Sequence, residues 1–142
     1  MLNFFKMPNQ QLAYHCARLA FGVSFFMHGA VRLPKLSTFA NGISGKFDGT
    51  FLAGFPSLSV GYAIPIVEAA VGLALVIGGR FARAGLAVGI LLMGVLMFGA
   101  AALEEFSIIV SQLLHLAVFY LLLMNPYTSG SELLESGNSK RH

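Results

Sequence analysis

The chain has 142 residues, of which 56% are hydrophobic and only 11% are charged. Soluble proteins average about 45–50% apolar and about 25% charged residues, so this chain has too few charges to cover a water-facing surface. The composition excludes an ordinary soluble domain and predicts one domain surrounded mostly by lipid. The net charge of +3 does not indicate nucleic-acid binding, because the Lys and Arg residues flank apolar runs instead of clustering.

Four apolar runs each approach the ~20 residues that a helix needs to cross the hydrocarbon of a bilayer. They cover residues 10–33, 58–78, 82–103 and 106–124. The connections after the second and third runs are short, which makes consecutive helices antiparallel neighbours. The sequence therefore predicts an all-α fold, a four-transmembrane-helix antiparallel bundle over residues 1–126, followed by a flexible polar tail over 127–142.

The distribution of basic residues predicts the orientation of this bundle. Five of them lie on the side of the termini: Lys6, Arg80, Arg83, Lys140 and Arg141. Three lie on the opposite side: Arg32, Lys35 and Lys46. Because cytoplasmic loops carry the excess of Lys and Arg, both termini are expected in the cytoplasm.

The first loop, between the first and second runs, is too long and too aromatic for a plain linker. It carries four phenylalanines: Phe39, Phe47, Phe51 and Phe55. Loops of this length usually are functional or carry structure of their own. We expect a partly ordered extracytoplasmic segment that lies in the membrane interface or caps the bundle, with a turn at "KFDGTF".

The first run carries ionisable side chains on one side. At about 100° per residue, Arg18, His28 and Arg32 fall on one stripe, with Gly22 and Gly29 beside them. Small residues mark close helix contacts in membranes, and a charge facing lipid would cost at least ~2.5–3.5 kcal/mol. The stripe is therefore predicted to face protein.

The second run repeats this pattern around Glu68, which aligns with Gly61 and Gly72 and follows Pro65 by nearly a turn. Glu68 lies about ten residues, or ~15 Å, from either end of its run, and Arg18 lies at a comparable depth in the first. We therefore predict an Arg18–Glu68 ion pair between the first two helices. A structural role in fixing helix register and a functional role are both open for this pair.

The fourth run places His115 near its middle, with Gln112 on the same side. His115 is either hydrogen-bonded in the core or part of a polar pocket with His28 and Arg32 in the extracytoplasmic half. The third run carries no charge between Gly85 and Gly99, and its glycines favour a structural helix, in contact with a second copy of the chain. Neither a cysteine pair nor a phosphate-binding glycine loop is present, so we predict no metal site and no tightly held cofactor.

Three strings together resemble the DoxX family of membrane proteins. "RLAFGVSFFMHGAVRLPKL" resembles its first helix, "FDGTFLAGF" with "YAIPIVEAAVGLALVIGGRFAR" its next block, and "FGAAALEEFSIIVSQLLHLAVFYLLL" the acidic turn and Gln-bearing last helix of one branch. The match covers nearly all of residues 12–125, and His115 departs from the aromatic or apolar residue common in that branch. The resemblance implies a four-helix bundle in a bacterial-type plasma membrane, with Arg18, His28, Arg32 and Glu68 as the family's polar residues.

Three functions are compatible with these residues. Named members of the family include a subunit of a thiosulfate:quinone oxidoreductase, so the first is a quinone-linked redox component, with a bound quinone at the polar residues and a partner subunit handling the electrons. The second is a non-catalytic subunit that anchors a membrane complex. The third is a small-molecule or ion carrier with a midplane site at Glu68 and a helix break at Pro65.

Overall fold

The computed structural model describes residues 7–128, and within that range every regular element is a helix. Five α-helices follow one another, and a short 3₁₀ turn, Leu33–Lys35, separates the first two. Their bounds are α1 Asn9–Ala30, α2 Leu36–Lys46, α3 Phe55–Ile77, α4 Gly79–Ala102 and α5 Phe106–Met124. A second 3₁₀ turn, Pro126–Thr128, follows α5. The first two residues of the tail predicted over 127–142 belong to this turn, and Thr128 is buried. The rest of the predicted tail, with Lys140 and Arg141, lies outside the described residues, as does Lys6.

Glycine and proline set most of the helix ends. Gly54 precedes α3 with φ 80°, and the proline at position 56 occupies the first turn, where its missing N–H costs nothing. Gly78 and Gly79 adopt φ values of 89° and 56° between α3 and α4, a left-handed region that glycine enters without strain. The predicted turn at "KFDGTF" is confirmed: Thr50 N–H donates to the carbonyl of Phe47.

Small residues bring α1, α3, α4 and α5 together in a four-helix bundle. Gly72 of α3 lies against the backbone of Phe26 in α1, and Gly85 of α4 contacts Ala74 of α3. Gly89 of α4 lies against the ring of Phe119 in α5, which is fully buried. Gly85 and Gly89 thus make contacts inside the chain, where the sequence suggested a second copy.

Aromatic rings close the bundle between its first and last helices. The rings of Phe25 in α1 and Phe119 in α5 meet edge to face with centroids 5.0 Å apart. Edge-to-face pairs add to the free energy of burial, because the positive ring edge meets the negative ring face. Of the predicted polar side chains on α1 and α5, Arg18 is buried, Gln112 and His115 are half-buried, and His28 is exposed.

The first loop contains a helix that the sequence did not reveal. α2 packs on the first half of α3. Gly61 of α3 lies against the backbone of Ala40 in α2, and a Cβ atom added at Gly61 would lie only 2.9–3.0 Å from the Cα and carbonyl oxygen of Ala40. Its end is tied to α3 by a hydrogen bond between the hydroxyls of Ser44 and Ser57, 3.2 Å apart. The loop is therefore ordered by its contact with α3.

Three helices, α3, α4 and α5, are long and apolar enough to cross a membrane. Large apolar side chains on them point outward; Leu91 and Val110, for example, are 71% and 70% exposed. An apolar exterior of this extent marks contact with lipid or with another protein. α1 has 22 residues, enough to span a bilayer, but its polar residues keep it outside that group of three.

Candidate functional site

The position of α1 along α3 determines which polar residues meet. Gly29, near the end of α1, lies so close to the backbone of Pro65 and Ala69 that a Cβ atom there would overlap with it. Gly22 faces Leu75 and Val76 near the other end of α3. α1 therefore ends opposite the middle of α3, about 15 Å along that helix from Phe55 at ~1.5 Å per residue.

This alignment pairs Glu68 with Arg32. The Nη1 atom of Arg32 lies 2.5 Å from Oε2 of Glu68, and the carboxylate side chain is only 7% exposed. The guanidinium also sits 4.8 Å from the ring centroid of Phe39 in α2, a cation–π contact. A buried carboxylate is stabilised only when a cation and hydrogen bonds replace its water, and Arg32 provides both.

The predicted ion pair between Arg18 and Glu68 is wrong. Arg18 is buried and donates instead to the carbonyl oxygens of Leu75 and Val76, in the last turn of α3. The prediction assumed that the two apolar runs lie side by side over their full length, which places Arg18 at the depth of Glu68. In the structure, α1 is displaced along α3 by about half the length of that helix. Arg18 and Glu68 belong to different levels of the bundle.

His28 on α1 is exposed and His115 on α5 is half-buried, and both contribute weakly to the electrostatic environment of the Glu68 carboxylate. The Nδ1 atom of His28 is 2.7 Å from the carbonyl oxygen of Ser24, and that of His115 is 2.8 Å from the carbonyl oxygen of Ser111. A carbonyl only accepts, so each Nδ1 carries the hydrogen, and each Nε2 of the neutral ring is an acceptor. The bundle thus offers two imidazole acceptors beside one carboxylate.

The ring of Phe25 connects the two imidazoles. Its centroid lies 6.4 Å from that of His28 and 6.1 Å from that of His115. Phe21 meets His115 as well, at 5.8 Å. Of the predicted site residues, the structure therefore brings together Arg32, Glu68, His28 and His115, which we call the Glu68 cluster.

Gln112 lies one turn before His115 on α5, and its carboxamide oxygen is buried. Within residues 7–128 this oxygen has no hydrogen-bond partner. It borders a cavity that also touches Ile64, one turn before Glu68 on α3. Gln112 is therefore next to the Glu68 cluster but faces a separate space.

Two side-chain contacts, one in the Glu68 cluster and one outside it, were not predicted from the sequence. Phe39 carries the cation–π contact to Arg32, and its only sequence signal was the aromatic content of the first loop. An ion pair joins Lys46 at the end of α2 to Glu105 before α5, with Nζ and Oε1 3.6 Å apart. In the part of the chain described, no group of three or more His, Cys, Asp or Glu side chains is arranged to hold a metal ion.

A comparison with protein-family models, with curated proteins and with solved structures finds no match to this chain.

Proposed function

We propose that the chain is a four-span membrane protein of the DoxX type, in which α1 is the fourth crossing, and that it is the quinone-binding subunit of a membrane oxidoreductase. The observation that carries this proposal is the Glu68 cluster, a buried carboxylate with one guanidinium, a half-buried imidazole and an exposed imidazole in a bundle of apolar exterior. Ionisable residues enclosed by membrane helices are functional by default, because placing them there is costly.

The cluster supports both halves of quinone chemistry. Oxidation of a quinol to a quinone releases two protons and two electrons, and in the proposed site Nε2 of His28 and Nε2 of His115 each accept one proton from a quinol hydroxyl. The Glu68 carboxylate stabilises the two imidazolium groups that form, while Arg32 holds the carboxylate in place. The two electrons pass to a redox centre on a partner subunit, and reduction of the quinone reverses both transfers.

Binding measurements on the purified protein in nanodiscs test this proposal. Decylubiquinone should bind saturably to the wild-type chain, and the His28→Ala, His115→Ala double variant should bind it about tenfold more weakly, since two hydrogen-bonding groups are lost. His15→Ala is the matched control, because this third imidazole lies near the opposite end of α1 beside Tyr14 and should leave the affinity unchanged. Absence of saturable binding by the wild-type chain, or equal affinities for the double variant and the control, would refute the proposal.

A non-catalytic anchoring subunit is the second candidate, and one observation favours it. A groove of about 320 Å³ between α3 and α4 has alanines Ala70, Ala74 and Ala84 among the larger apolar side chains that line it. Small residues on an outward surface permit close approach of another membrane helix. Dissociation of a partner complex in an Ala70→Phe variant, at an exposed position of the groove, with unchanged quinone binding would support this candidate.

The carrier hypothesis is the least supported of the three. It depended on a helix break at Pro65, but α3 continues through this residue from Phe55 to Ile77. Transporter sites of that kind use the free ends of interrupted helices to hold the substrate. A continuous α3 offers no such ends beside Glu68.

A further inference from the structure

A cavity of about 160 Å³ lies among the last residues of α2 and the helices α3, α4 and α5. Its walls are almost entirely apolar and include Phe47, Ile64, Val95 and Ile108. A space of this size matches a single six-membered ring, since apolar protein cavities of about 150 Å³ bind benzene. The walls therefore select a compact apolar molecule of about one ring.

Gln112 is the polar residue of these walls that lies away from the charged Lys46 and Glu105. The carboxamide oxygen of Gln112 is buried, and no group in residues 7–128 donates a hydrogen bond to it. A buried acceptor without a donor is unfavourable, whereas a hydrogen bond made inside an apolar space is stronger than one made in water. A molecule that fills the cavity and donates one hydrogen bond would satisfy this oxygen.

The mouth of the cavity carries two opposite charges. Lys46 and Glu105 form their ion pair there, with side chains 53% and 39% exposed. Glu105 is fixed by the end of α4, where Glu104 adopts a φ of 57° and the N–H of Glu105 donates to the carbonyl of Ala100. Gln112 lies two helical turns further along α5, or about 10 Å from this mouth at ~1.5 Å per residue.

We propose that this cavity is a binding site for a single-ring phenol, whose ring fills the apolar space and whose hydroxyl donates to the carboxamide oxygen of Gln112. The charges at the mouth neutralise each other, so the site selects an uncharged ring and not a phenolate or a carboxylate. This site is separate from the Glu68 cluster, and the inference does not rest on the proposed quinone function. A free phenol and the ring of a quinol share the chemistry that the site recognises.

Binding of 4-fluorophenol to the full chain in nanodiscs, followed by ¹⁹F NMR, tests the inference. Wild-type protein should bind this probe saturably, and Gln112→Leu should weaken binding about fivefold through loss of one hydrogen bond. 4-Fluorotoluene, which has the same ring without the donor, should bind both proteins equally. Gln11→Leu, a change of the same kind on α1 away from the cavity, should have no effect on either probe.

Two results would overturn the inference: no saturable binding of 4-fluorophenol by the wild-type protein, or equal affinities in the wild-type and Gln112→Leu proteins. Should Gln112→Leu fail to fold, Gln112→Met, a closer match in shape, replaces it and should show the same loss. Competition by decylubiquinol would identify the ring of a quinol as the source, and binding without such competition would identify a free phenol. Both of these outcomes support the site. Neither changes the weaker binding of decylubiquinone that the proposed function predicts for the His28→Ala, His115→Ala double variant.

Discussion

The buried charge of Arg18 stabilises the backbone at the end of α3. Its guanidinium donates to the carbonyls of Leu75 and Val76, which lie in the last turn of α3 and have no donor within that helix. The cation also meets the negative end of the helix dipole. The guanidinium packs on Gly78, where an added Cβ would lie 3.0 Å from its Nη1 atom. Arg18 is therefore a structural residue that ends α3.

Replacing Arg18 by glutamine should lower the free energy of unfolding by about 1–3 kcal/mol, because buried carbonyls lose a charged donor. Arg83→Gln is the matched control; Arg83 is an exposed arginine on α4, and its loss should change stability by less than about 0.5 kcal/mol. Unfolding in a mild detergent, followed by circular dichroism, measures both variants. Equal stability of the two would contradict the role given to Arg18.

At the scale of elements, the helices were largely predictable and their alignment was not. The apolar runs indicated α3, α4 and α5 to within three residues at each end. Hydropathy predicts that a helix is present, and glycines mark where it begins or ends. Arg18 and Arg32 lie on the same side of the first run, so periodicity could not distinguish them as partners of Glu68. The contact between Gly29 and Pro65 identifies Arg32 as the partner, because it sets the position of α1 along α3. That contact depends on how the surfaces of the two helices fit together.

α2 was missed for a related reason. Its sequence, "LSTFANGISGK", contains two glycines with serine, threonine and asparagine, all weak helix formers. Contact with α3 overrides this weak preference, because Ala40 is fully buried against Gly61. Single-sequence patterns do not contain that tertiary contact.

The contact between α2 and α3 can be tested by cross-linking. In a Cys16→Ser background, the pair Ser44→Cys and Ser57→Cys should form a disulfide under mild oxidation, because the hydroxyl oxygens of these two serines lie 3.2 Å apart. Gly42→Cys with Ser57→Cys is the control, since no atom lies within 4 Å of a Cβ at Gly42. Mobility of the two forms on a non-reducing gel reports the result. Cross-linking of the control pair alone would show that α2 lies differently on α3.

At the scale of the whole molecule, the composition already indicated a membrane protein, and three apolar helices agree with it. The orientation remains a prediction from the basic residues, with four crossings and both termini in the cytoplasm. Nothing in the fold itself distinguishes inside from outside, because a helix bundle has the same packing in either orientation.

Reporter fusions measure the orientation. Alkaline phosphatase fused after Asp48 should be active, since the segment before α3 is expected outside the cytoplasm, and the same enzyme fused after Arg83 should be inactive. Green fluorescent protein at the C-terminus should fluoresce. The reverse pattern would place the termini outside, and an active fusion at both positions would exclude α3 as a crossing.

The central claim is that Arg32 and Glu68 meet inside the bundle, and a double-mutant cycle tests it most directly. Free energies of unfolding are compared for the wild-type chain, Arg32→Gln, Glu68→Gln and the double variant, with Arg18→Gln taking the place of Arg32→Gln in a parallel cycle. We expect a coupling energy of about 0.5–3 kcal/mol between Arg32 and Glu68, and additivity within about 0.5 kcal/mol between Arg18 and Glu68. Coupling of Glu68 to Arg18 with none to Arg32 would contradict the alignment of α1 on α3 and the Glu68 cluster with it.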